Sequence, residues 1–106
     1  MENLKHSKNI MRKTLMNLYH DIEYNVMENN TVFDEEVSRN VIYTRLTVRY
    51  PFMKCGFTHN CITHMTSLFA SYLNDKLTVN QYYKEMKKIL SLLTDQFNHE
   101  NELYLD

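Results

Sequence analysis

The chain has almost no glycine, proline or alanine: Gly56, Pro51 and Ala70 are the only ones among its 106 residues. A single glycine excludes Gly-rich phosphate loops, dinucleotide fingerprints and nucleophile elbows, which need several glycines where backbone approaches a ligand. It also counts against an all-β fold, because tight hairpin turns demand residues tolerant of positive φ. Long apolar runs are missing too. No stretch approaches the roughly 18 residues of a membrane span, and MENLKHSKNIMRK carries charge without the apolar h-region of a secretory signal. Cysteine is scarce: Cys55 and Cys61 lie too close in sequence to staple a fold. A cytoplasmic protein is therefore the expectation, in the host cytoplasm if the chain is viral.

What is abundant carries a different message. Phe, Tyr, Met, Ile, Asn and Lys supply 45 residues, while Gly, Ala, Arg and Pro together supply 7. The first set is written with A/T-rich codons and the second mostly with G/C-rich ones. Such a bias points to a low-GC bacterium, a phage, a large DNA virus or a protist parasite. It also means that abundant Asn and Tyr need no functional account. With 43% hydrophobic residues, the length suits one domain, 1–106, able to bury a modest core.

A formal net charge of −1 hides blocks of alternating sign. Residues 1–20 sum to +3, 21–36 to −6 and 37–54 to +4, and the chain closes on an acidic 95–106. Compensation between neighbouring elements is the simple interpretation, and no global field is left to steer nucleic acid.

Hydrophobic spacing predicts an all-α bundle of about four helices, roughly 2–28, 33–50, 60–74 and 79–97. In the first, Leu4, Met11, Leu15, Leu18 and Ile22 form one stripe. The third carries Ile62, Met65, Leu68, Phe69, Tyr72 and Leu73 on one face. The fourth opens on Thr78 and Gln81, a capping box, and continues with a wide apolar face from Val79 to Phe97. Residues 98–106 then read as a short acidic tail. The second segment is two-sided. Asp34, Glu35 and Glu36 make a good helix start, and either Val37, Val41 and Val48 or Ile42 and Leu46 keep helical spacing. Yet 40–50 is rich in β-formers and alternates, so it could instead be a strand. No other segment offers a strand partner, which favours helix, and Pro51 ends it.

Chemistry concentrates between Cys55 and His64. Cys55, His59, Cys61 and His64 are the candidate metal ligands, in the spacing C-x3-H-x-C-x2-H. Zinc sites usually draw ligand pairs from two separated knuckles, whereas here all four crowd into one, so metal is disfavoured and no cofactor is implied. The same stretch has helix-turn-helix spacing: Gly56 in the turn, Thr58 as cap and Ile62 six positions after the glycine. A recognition helix would expose Thr58, His59, Asn60 and Thr63, with Arg45 and Arg49 available to phosphates. Against it, no Arg or Lys lies between Cys55 and Lys76, and phosphate neutralisation supplies most non-specific affinity.

No residue pattern supplies an activated nucleophile with an oriented base. The expectation is thus a small non-enzymatic intracellular protein that acts by protein–protein contact, with a phage- or virus-encoded modulator or inhibitor of a host protein as its setting. Tyr82, Tyr83 and Met86 are the candidate contact residues, because Tyr and Met offer large apolar area with a polar or adaptable tip. The partner is another protein of unspecified identity, with homodimerisation open and no membrane. A helix-turn-helix DNA-binding regulator is the alternative, and a zinc-stabilised module comes third.

Overall fold

A computed structural model describes the backbone of residues 8–105 and the side chains of 10–99. It holds four helices: α1 (Lys8–Met27), α2 (Glu35–Arg49), α3 (Gly56–Leu73) and α4 (Val79–Leu105), with a 3-10 turn at Pro51–Met53. Each helix packs on its chain neighbour, and α4 closes the ring against α1. The result is an up-down-up-down bundle whose 45 Å long axis reflects α4. At about 1.5 Å per residue, that helix alone spans roughly 40 Å.

Local chemistry accounts for the helix boundaries. Asp34 caps α2, its Oδ1 accepting from the Val37 N–H at 3.0 Å. Thr78 and Gln81 form the expected box: the Thr78 N–H donates to Gln81 Oε1 at 2.9 Å and the Gln81 N–H to Thr78 Oγ1 at 3.2 Å. Asn30 and Asp75 take positive φ in the connections after α1 and α3, the left-handed conformation Asn and Asp tolerate best. Residues 40–50 belong to α2 up to Arg49, and no strand occurs among the described residues. Helix wins because Ile42, Leu46 and the capping residue Tyr50 reach one core face, whereas a strand would leave its backbone unpaired.

Two boundaries are corrected. α3 starts at Gly56, four residues before the spacing suggests, with Cys55 in extended conformation as its N-cap. α4 does not give way to a tail at 98: its backbone stays helical to Leu105, since 98–105 contains neither Gly nor Pro to stop it. The expected start of the first helix, 2–7 with Leu4, lies outside the described residues, as do the side chains of Leu103, Tyr104 and Leu105.

Aromatic rings fill both ends of the core. At one end Phe69 meets Phe33, Tyr19 and Tyr82 with centroids 4.8, 6.0 and 6.0 Å away, and Tyr72 stacks on Tyr82 at 5.0 Å. At the other, Phe97 meets both Tyr50 and Phe52 at 5.4 Å. Aliphatic and Met side chains, including Leu15, Ile42, Leu46, Ile62, Met65 and Leu93, complete the buried core. Three of the four buried threonines cost little: Thr47, Thr66 and Thr94 return their hydroxyls to helix carbonyls one turn back, at 2.8, 3.2 and 2.7 Å.

Candidate interaction surface

The corner from Cys55 to His64 becomes the first turns of α3, and a helix advancing about 100° per residue cannot converge its four ligand candidates. Cys55 is half-buried and its Sγ sits 3.5 Å from Thr58 Oγ1. His59 packs its ring edge-on against Tyr43 at 5.2 Å. Cys61 faces the core, where burial pushes its thiol above the ordinary value, aided by Cys55, so the reactive thiolate is disfavoured. His64 is exposed. Among the described residues, no three His, Cys, Asp or Glu side chains are grouped to hold a metal ion.

The helix-turn-helix expectation is corrected at Thr58. This residue is fully buried in the first turn of α3 and cannot be offered to a base. His59 and Thr63 are half-buried, the Thr63 hydroxyl donating to the His59 carbonyl at 2.8 Å, and Asn60 alone of the four is exposed. Arg45 and Arg49 are exposed on α2, with the Arg49 Nε donating to the Tyr50 hydroxyl at 3.1 Å. The spacing misled because Ile62 and Met65 do enter the core, as that motif requires, but they do so from any amphipathic helix. Gly56 is not in a turn. It has no positive φ, and a Cβ built there would meet nothing within 4 Å. Gly56→Ala is therefore expected to stabilise the fold by about 0.4–1 kcal/mol in urea unfolding, by restricting the unfolded chain. A loss of stability would show that the position needs glycine.

The protein-contact candidates divide. Tyr82 is 1% exposed and Met86 is equally part of the core, so neither is available to a partner, whereas Tyr83 is 55% exposed. Adjacent helical residues point about 100° apart, and here Tyr82 turns inward, its hydroxyl donating to Glu23 Oε2 on α1, 2.9 Å away. Glu23 also pairs with His20 Nδ1 at 2.7 Å. Burial pushes the phenols of Tyr82 and Tyr19 far above the ordinary range; for Tyr82 the neighbouring Tyr19 and the negative charge of Glu23 add to it. The Tyr19 hydroxyl donates to the Met65 carbonyl of α3, tying three helices together at this end.

The Glu23–Tyr82 bond also fixes the register of antiparallel α1 and α4. Close in sequence to these partners lie Tyr24 and Met27 on α1 and Val79 and Tyr83 on α4. All four are exposed. Tyr24 and Met27 were missed from the sequence because they lie off the Met11–Leu15–Ile22 stripe; their departure from that stripe was the available signal. A second exposed apolar set lies on α2. Of the two stripes its sequence offers, Ile42 and Leu46 go inward and Val37, Val41 and Val48 stay outside. Among the described residues no helix is long and apolar enough to cross a membrane. Compared with protein-family models, with curated proteins and with solved structures, the chain matches none.

Proposed function

We propose that this chain is a small non-enzymatic intracellular binding or regulatory protein that acts by contact with a partner protein, and that the contact is made by the outer face of the α1–α4 end. A phage- or virus-encoded modulator of a host protein is the setting that its size and codon-biased composition suit. The observation that carries the proposal is the exposure of Tyr24, Met27, Val79 and Tyr83, four large apolar side chains on the two helices joined by the Glu23–Tyr82 bond. Surfaces rich in Tyr and Met give up water readily and adapt to a partner's shape.

The test is affinity capture from lysate of the encoding organism and of its host, using wild type and a Tyr24→Ala/Tyr83→Ala variant. A protein held by wild type and released at least about 30-fold more readily by the variant, as expected when anchor residues are removed, supports the proposal. Since both side chains are exposed, the variant should keep the wild-type melting curve. Equal retention of every captured protein by both forms, or salt-sensitive retention of the wild type on DNA, would overturn it.

A further inference from the structure

We infer that the outer face of α2 is a self-association surface, on which a second copy of this chain packs antiparallel about a two-fold axis. The face is opposite the buried Ile42 and Leu46, and it carries Val37, Val41, Thr44 and Val48 at spacings of four, three and four. That spacing is the seam of one helix on another. Val37 is 56%, Val41 37% and Val48 75% exposed, so the seam has no partner among the described residues. Valine on the solvent side of a helix is also poor local chemistry, since β-branched side chains lose χ1 freedom there. Burial against another helix would repay that loss.

Two features select a second copy rather than an unrelated helix. The four-three-four order reads the same in both directions. A two-fold axis therefore sets Val37 level with Val48 of the other copy, and Val41 level with its Thr44, as an isologous interface requires. A shallow depression of about 290 Å³, lined by Asn40, Val41, Thr44 and Arg45, lies at the midpoint of that order, where the axis would pass.

Charge then selects the direction. α2 opens on Asp34, Glu35 and Glu36 and closes on Arg45 and Arg49. Antiparallel pairing lays each acidic end beside the other copy's basic end, whereas parallel pairing would set like against like. The opposed helix dipoles reinforce the same choice. This surface is separate from the α1–α4 end, so it leaves the partner contact free.

Position 41 lies near the axis, only about 4.5 Å along the helices from its own copy, which gives a clean experiment. Wild type should dimerise reversibly in sedimentation equilibrium. Val41→Glu and Val41→Lys should each weaken the dimer at least tenfold, the equivalent of about 1.4 kcal/mol, and mixing the two should restore it as a heterodimer. Both substitutions are at an exposed position, and circular dichroism checks that the helices persist. Orientation is read by disulfide trapping in a Cys55→Ser background. Val37→Cys mixed with Val48→Cys should cross-link, while Val48→Cys alone should not, because its two copies would stand about 16 Å apart along the helices. A wild type that stays monomeric, variants that dimerise like wild type, or cross-linking of Val48→Cys with itself would each overturn the inference. The Tyr24→Ala/Tyr83→Ala variant should dimerise normally, which separates this result from the partner-contact proposal.

Discussion

Phe69→Ala should lower the unfolding free energy by about 3–5 kcal/mol, read from urea denaturation followed by circular dichroism. Phe69 has no exposed surface and is the hub of one aromatic end of the core, in ring contact with Tyr19, Phe33, Tyr72 and Tyr82. Those rings come from α1, from the connection before α2, and from α3 and α4. Truncation leaves a cavity that no single helix can collapse to fill, because each wall is anchored elsewhere. Tyr82 is held by Glu23, and Tyr19 by the Met65 carbonyl. A domain of this size has a total stability of the order of 5–15 kcal/mol, so the variant should lie near the edge of unfolding at ambient temperature. A loss below about 1 kcal/mol would mean that the end of the bundle is loosely packed.

Raising the pH above the ordinary tyrosine value should unfold the protein steeply. Tyr19 and Tyr82 both have phenols pushed up from 10.0, chiefly by burial. The sign follows from proton counting: above pH 10.0 the unfolded chain gives up these protons while the folded chain keeps them, so folding becomes progressively disfavoured. Below that pH the contribution of both groups is fully present. Above it, stability is lost at about 1.4 kcal/mol per pH unit for each phenol, until the raised folded value is reached. Thermal melts recorded between neutral pH and about pH 11 should therefore be flat and then fall. Tyr19→Phe, compared with its own stability at neutral pH, should roughly halve the slope of the fall. A profile that stays flat through about pH 11 would show that one or both phenols ionise freely in the folded chain.

The extent to which the fold could be read from the sequence depended on where its signals were one-sided. α4 was readable from its start through Phe97, though not in its run on to Leu105: the Thr78–Gln81 box has one physical meaning, and the apolar face behind it is unbroken to Phe97. α2 was readable as a helix through Asp34 and Pro51, but not in its orientation. Its two apolar stripes have equal periodicity, and only the helices packed against it decide that Ile42 and Leu46 are inside. Tyr82 and Tyr83 pose the same problem within two residues, resolved by Glu23, fifty-nine positions away in sequence. Tyr19, buried and central, does not stand in the Met11–Leu15–Leu18–Ile22 series, although it lies one turn after Leu15 and so shares its face. The Cys55–His64 cluster was legible as chemistry, but its members' directions are set by the early start of α3. The exposed groups at the α1–α4 end follow from the register between two helices distant in the chain, which no local pattern contains.

The ring of helices has a consequence for how the chain finds its structure. Three of its four helix pairs, α1 with α2, α2 with α3 and α3 with α4, join segments linked only by 28–34, 50–55 and 74–78. Contacts of this kind close small loops, whose entropic penalty is low, and domains built from them assemble in microseconds to milliseconds. The docking of α1 against α4 and, through Tyr19, against α3 is the step that brings distant parts of the chain together, and its polar links are the Tyr82–Glu23 and Tyr19–Met65 bonds. The ring therefore concentrates nearly all of its topological search in one docking event, at the end of the bundle where Tyr24 and Tyr83 stand.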